Sequence, residues 1–108
     1  MCGIAGIYRF KRGDVPPQDV AALRYMARIQ HHRGPDATGQ EAFVACALAS
    51  QRLSILDLSP LAHMPMRSAD GKRSIAYNGE IYSCRALRAE LGDNLARRSQ
   101  SDTEVLLH

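Results

Sequence analysis

The apolar residues of this chain change period several times, and each change marks a candidate element. Cys2 to Phe10 is short, apolar and partly β-branched, which predicts a strand. Pro16-Pro17 then opens a helix in which Val20, Leu23, Met26 and Ile29 recur at helical spacing, with Ala27 on the same side. That stripe reads as core packing. The period breaks at His31-His32-Arg33-Gly34-Pro35-Asp36, where Gly and Pro end the helix. Glu41 to Ile55 predicts two β segments, with Phe43, Val44, Leu48, Leu53 and Ile55 at apolar positions, and Asp57 to Pro65 reads as a loop. Asp70-Gly71 is a hairpin-turn signal between Pro65–Ser68 and Arg73–Tyr77. Tyr82 to Leu91 predicts a helix, with Leu87 and Leu91 at i,i+4 and Gly92 placed to end it. A last helix starts near Ser101, where Ser101 and Glu104 carry the S-x-x-E signature of a capping box. Its apolar Val105, Leu106 and Leu107 run out at His108, too soon for intrinsic helix stability, so the sequence reads as part of a larger domain. The order of elements gives an α+β fold.

Composition leaves the fold open and narrows the function. A chain of 108 residues, 45% hydrophobic and 23% charged, fits one modest globular domain or a piece of one. The net charge is +3, but the Arg residues are scattered and only 6% of residues are aromatic. Nucleic-acid binding, which needs basic residues clustered on one face, is not expected. No run approaches the ~20 apolar residues of a membrane span, and the N-terminus lacks a signal-peptide pattern. A cytoplasmic protein with no membrane partner is the default. Cys2, Cys46 and Cys84 are too scattered for a disulfide framework or a CxxC site. His31 and His32 are adjacent while His63 and His108 stand alone, so no metal site is expected.

The candidate chemistry begins at Cys2-Gly3-Ile4. Once Met1 is removed, the thiol and the free α-amine belong to one residue. An α-amine titrates at about 7.7–8.0 and is a built-in general base, while a thiol reacts as its thiolate. Alone, a cysteine at this position is more often incidental than catalytic. Tyr77-Asn78-Gly79-Glu80 is first of all a turn signal. Its functional reading is an oxyanion hole made by the Asn78 amide and the Gly79 backbone N–H. Glu80-Ile81-Tyr82 then runs straight into a helix rather than a returning strand, which argues against the turn. Arg52 could grip a carboxylate and Asp102, at a helix start, could hold an ammonium. That pair suits an α-amino acid, although each residue is also ordinary on a surface strand or beside a helix cap. Arg33-Gly34-Pro35-Asp36 says by composition only that the chain turns.

Taken in order, CGIAGI at Cys2–Ile7, HRGPDATG at His32–Gly39, RLSILDLSP at Arg52–Pro60, YNGEIY at Tyr77–Tyr82 and SDTEVLL at Ser101–Leu107 span essentially the whole chain. The set resembles the N-terminal glutaminase region of glutamine-hydrolysing asparagine synthetases, within the class II, N-terminal-nucleophile amidotransferases. The resemblance implies that residues 1–108 are a partial glutaminase domain with a four-layer αββα sandwich, incomplete here. It implies Cys2 as nucleophile, with Asn78 and Gly79 as the oxyanion hole. Arg52 would bind the α-carboxylate of L-glutamine, Leu53, Ser54 and Ile55 would line the pocket with backbone groups, and Glu80 and Asp102 would receive the ammonium. The ammonia released would pass to a synthetase domain that lies outside this sequence and uses ATP and Mg²⁺ to amidate aspartate.

Two positions depart from the family pattern. Met64 stands before Pro65 where Gln is usual, and Ser83 follows NGEIY where Asn is common. Both bear on local packing or subfamily, not on hydrolysis. The missing length leaves three readings: the glutaminase of an asparagine synthetase, the same glutaminase serving another acceptor, and a truncated, non-catalytic remnant. Half a sandwich would expose apolar faces and strand edges, so a homo-oligomer is among the expected states.

Overall fold

In a computed structural model that describes residues 1–11, 13–55, 57–92 and 98–108, the first apolar run forms β1 (Gly3–Tyr8). Leu56, inside the RLSILD run, lies outside the described residues. β1 is shorter than the predicted Cys2–Phe10 because pairing with the next strand but one ends at Tyr8, and Phe10 is 93% exposed. α1 (Pro17–Ile29) follows, with Pro at its first helical position, where no N–H is needed. β2 (Ala37–Ala42) and β3 (Cys46–Arg52) complete a three-stranded antiparallel sheet in the order β1-β3-β2. The first of these strands starts four residues ahead of the predicted Glu41, inside the HRGPDATG run. Phe43 and Val44, predicted within strands, instead make the connection between β2 and β3 (Phe43 N to Cys46 O, 2.6 Å), and the Val44 carbonyl accepts from Val15 N at 2.9 Å.

Strand alternation gives the sheet two different faces. Ala5 and Ile7 of β1 and Ala47 and Ala49 of β3 meet Leu23 and Ala27 of α1, which form the core cluster with Val15. Because that surface is mostly alanine, the helix lies close and buries only an i,i+4 ridge. Met26 and Ile29, predicted in the same stripe, stay 37% and 56% exposed. Leu23 is wholly buried, which stabilises by roughly 2 kcal/mol relative to exposure.

The opposite face carries the rest of the chain. A 3-10 turn at Pro60–Ala62 leads to the β4 (Met66–Arg67) and β5 (Ser74–Ile75) hairpin. The Asp70-Gly71 turn signal is borne out, with Gly71 at φ 69°, although the loop is longer than two residues and closes from Ser68 N to Arg73 O at 3.0 Å. The hairpin attaches to β2 through Glu41, which pairs with Arg67 and accepts from Ser74 Oγ at 3.0 Å. α2 (Cys84–Leu91) ends at Gly92, whose φ of 55° explains why glycine stands there. α3 (Asp102–Leu107) packs on β4 and β5. The predicted capping box is half present. Ser101 Oγ accepts from Thr103 N at 3.2 Å, but Glu104 does not reach back to Ser101. Glu104, with no exposed surface, instead accepts from Arg98 N, Ser99 N and Ser99 Oγ, and the Ser99 hydroxyl takes the Ser101 N–H. The architecture is α+β.

Candidate functional site

Gly3 pairs with Gln51 across β1 and β3, so the residue before β1 and the residues ending β3 meet at one corner of the sheet. Cys2, half-buried, has its Sγ 3.4 Å from Leu53 N and 3.8 Å from Leu53 O. Arg33 Nε donates to the Cys2 carbonyl at 3.3 Å, fixing the backbone of the thiol-bearing residue. Gly34, buried next to it, lies against the Gln51 and Arg52 backbone, where a Cβ would overlap Gln51 O and Arg52 C. The HRGPD turn is therefore pressed onto the end of β3. Its Asp36 accepts the Ser54 N–H at 2.8 Å and holds the chain beyond the strand.

Arg52 is 6% exposed, and among the described residues it makes no ion pair. Its Nη2 donates to the main-chain carbonyl of Asp57, while Nη1 is buried with no hydrogen-bond partner. A buried cation in that state is costly unless something else satisfies it. Across from it, the segment from Tyr77 to Tyr82 runs into α2 without forming a hairpin. Gly79 lies under the Tyr77 ring, where a Cβ would strike the phenol. Ile81 N donates to Asp102 Oδ2 at 3.0 Å, which ties this segment to the first residue of α3.

The approach to α3 is held from several sides. Arg88 of α2 donates to Ser99 O at 3.3 Å and Ser101 O at 2.6 Å. Asp57 accepts Ser59 N through Oδ1 at 2.8 Å and Gln100 N through Oδ2 at 2.7 Å. The Ser59 hydroxyl, with the backbone amides of Gln100 and Ser59 and to a lesser extent the Arg52 charge, holds the Asp57 carboxyl below the usual carboxylate range against a smaller opposing effect of burial. Asp70, in the hairpin loop, is lowered similarly by the Ser68 hydroxyl and the Lys72 backbone N–H.

These elements enclose a cavity of about 360 Å³, within the range of roughly 300–1,000 Å³ usual for small-molecule sites. Cys2, Arg52, Leu53, Ile55, Asn78, Gly79, Glu80 and Asp102 all lie in its wall. Ser54 does not, because its backbone is engaged by Asp36. Met1, Met64, Tyr77 and Tyr82 complete the wall. Met64, to which the resemblance gives no role, is 6% exposed and its Sδ accepts from Tyr77 N at 3.3 Å. Its departure from the family pattern, read along the sequence, was the available signal. Among the described residues no three His, Cys, Asp or Glu side chains stand together as metal ligands. No helix among the described residues is long and apolar enough to cross a membrane.

One cationic side chain, Arg52, and two anionic ones, Glu80 and Asp102, thus share one cavity with the Cys2 thiol. The family model described as the glutamine amidotransferase domain matches residues 1–108, and the chain belongs to that family. It is 39% identical over 107 residues to asparagine synthetase B (glutamine-hydrolyzing) of Escherichia coli, covering 99% of this chain and 19% of that protein. A probable asparagine synthetase of Schizosaccharomyces pombe is 34% identical, with 100% of this chain and 19% of the relative covered. Asparagine synthetase 2 of Bacillus subtilis is also 34% identical, covering 100% of this chain and 14% of the relative. The chain spans about a fifth or less of the length of these curated relatives.

Proposed function

We propose that this chain binds L-glutamine and hydrolyses its side-chain amide, as the glutaminase portion of an asparagine-synthetase-type amidotransferase. The observation that carries the proposal is Arg52: a buried guanidinium with an unpartnered Nη1, lining the same cavity as Cys2 and Asp102. A substrate α-carboxylate would satisfy that donor, and Asp102 with Glu80 would take the α-ammonium. The substrate side chain would then reach toward Cys2.

With Met1 removed, the Cys2 α-amine would take the thiol proton while sulfur attacks the amide carbon. Removing Met1 would also clear one wall of the cavity. The Asn78 amide and the Gly79 N–H would stabilise the oxyanion, each such donor being worth roughly 3–4 kcal/mol. Returning the proton to the leaving nitrogen releases ammonia and leaves a thioester, and water then releases glutamate and restores the thiol. The unit would complete as the four-layer αββα sandwich, with residues 1–108 as part of it. Its ammonia would go to a synthetase domain that binds ATP and Mg²⁺ and amidates aspartate.

The test is glutamine hydrolysis by the full-length gene product and by its Cys2→Ala variant, with intact mass measured on the active protein. Loss of ammonia release in the variant and absence of Met1 are expected. Full activity in Cys2→Ala would overturn the nucleophile, and full activity with Met1 retained would overturn the α-amine as base.

A further inference from the structure

Arg52 and Asp102 come from opposite sides of the cavity and share no direct contact, yet one residue touches the supports of both. Asp57 receives Arg52 Nη2 on its main-chain carbonyl. Its side chain closes a tight local loop onto Ser59 N and reaches across to Gln100 N, two residues before Asp102. Gln100 itself leads into the Ser101 cap, which starts α3 and places Asp102 at its first position. We propose that Asp57 is a positioning residue that sets the separation and relative orientation of the carboxylate-binding and ammonium-binding ends of the pocket, and so its selectivity for the L-configured α-carbon. This rests on the proposed glutamine site and adds to it a residue that does not line the cavity.

The physical argument turns on which effect of losing the carboxylate is larger. Asp57→Asn removes a negative charge near Arg52, which by itself would strengthen the pull of Arg52 on a substrate carboxylate. It also replaces one accepting oxygen by an NH₂ group, and both carboxylate oxygens face backbone N–H donors. Whichever way the amide turns, one donor meets another donor. A hydrogen bond to a charged group is worth about 1.5–3 kcal/mol, and a donor–donor contact forfeits it and adds repulsion. The attraction between Arg52 and the Asp57 side chain is the smaller influence at this carboxyl, behind the hydrogen bonds to Ser59 and Gln100. Loss of geometry is therefore the larger effect, and the Gln100 side separates from the Arg52 side.

Two charge-binding poles held at a fixed spacing, with the side chain directed at Cys2 as the third point, recognise one enantiomer of an α-amino acid; poles free to shift accept both. The experiment measures binding of L- and D-glutamine by calorimetry, and hydrolysis of both, in the full-length gene product, in Asp57→Asn, and in Asp57→Glu, which keeps the carboxylate but sets it on a longer arm. In Asp57→Asn the L-over-D preference is expected to fall about tenfold or more, with KM for L-glutamine rising by a similar factor and kcat changing less than about threefold. Asp57→Glu should lie between that variant and the wild type. A variant that is merely less well folded would lose active fraction for both enantiomers equally, leaving their ratio unchanged. An unchanged ratio in Asp57→Asn would therefore overturn the proposal, as would an unchanged ratio in Asp57→Glu should Asp57→Asn fail to fold. Binding of L-glutamine without hydrolysis in the wild type would count against the nucleophile assignment alone. Absence of binding would overturn the site and this inference together.

Discussion

Arg52→Lys is the sharpest perturbation of the proposed site, because the structure separates what charge does there from what geometry does. The guanidinium divides its donors: Nη2 goes to the Asp57 carbonyl, Nη1 is buried with no partner, and the residue lines the cavity. A lysine keeps the charge but presents a single compact ammonium, which cannot hold the Asp57 carbonyl and a bidentate carboxylate at once. The interaction at stake is a charged hydrogen bond worth about 1.5–3 kcal/mol, or roughly 10- to 150-fold in affinity. We expect KM for L-glutamine to rise about 30-fold in Arg52→Lys, with kcat within about threefold, since the carboxylate is remote from the scissile amide. The companion substrate is 4-aminobutanamide, glutamine without its carboxylate. The wild type should handle it poorly, and the lysine variant no worse than the wild type. The folded state supplies an independent check. Arg52→Met would remove a buried donor whose unmet desolvation costs about 1–3 kcal/mol, and with it a hydrogen bond contributing about 1. Its melting temperature should therefore stay level or rise while glutamine binding is lost. A lysine variant with the wild-type KM for L-glutamine would refute the carboxylate assignment outright.

Other expectations follow from the supports around the cavity. Glu104→Gln should destabilise by about 2–4 kcal/mol in urea denaturation, because an amide cannot accept from Arg98 N, Ser99 N and Ser99 Oγ in a site without solvent; a loss under half of one kcal/mol would contradict that network. Gly34→Ala should cost about 3 kcal/mol or more and also raise KM, since its Cβ overlaps the backbone that carries Arg52. Asp57, with its folded pKa below the ordinary value of 3.8, contributes stability that is fully present above that value and is lost as pH falls through the folded one. The stability deficit of Asp57→Asn should thus be full at pH 6 and shrink below about pH 4 in acid-titrated melts, and a deficit independent of pH would exclude the carboxylate as its source.

How much of this could be read along the chain depends on the range of each interaction. Elements set by local period or by backbone constraint were legible: α1 from its 3.6 repeat and Pro start, the Gly71 turn, the Gly92 stop. The start of β2 was not, because Ala37-Thr38-Gly39-Gln40 has no apolar alternation and becomes a strand only by pairing with β3. The capping box failed by half for a similar reason. Glu104 has three donors upstream of the helix in Arg98 and Ser99, and these outcompete the single N–H of Ser101. The pocket residues were legible because the resemblance put them on named motifs. Their supports were not. Arg33 on the Cys2 carbonyl, Asp36 on Ser54 N and Arg88 on Ser99 and Ser101 each join segments that only the fold brings together.

The relation between Cys2 and Arg52 shows where the precision of the site is stored. Cys2 immediately precedes β1 and Arg52 ends β3, and the registry Gly3 to Gln51 alone decides that thiol and guanidinium share a corner. On a pleated sheet a slip of one residue sends every side chain to the other face. Such a slip in β3 would turn Arg52 toward α1 and place Leu48 where Ala47 or Ala49 now sits. Both alanines are fully buried, directly beneath a Leu23 that is equally buried, so no volume exists there for the extra atoms of a leucine. The correct registry is thus enforced on the helix-facing side of the sheet, by small residues that do no chemistry, while its consequence appears on the other side, where the cavity lies. Gly6 adds to this from the cavity side: its missing side chain makes room for Leu48, which a Cβ would approach to 3.2 Å. The small residues of CGIAGI and of β3 are therefore a steric key for one alignment, and the guanidinium of Arg52, with Nη1 free of partners among the described residues, is where that alignment is put to use.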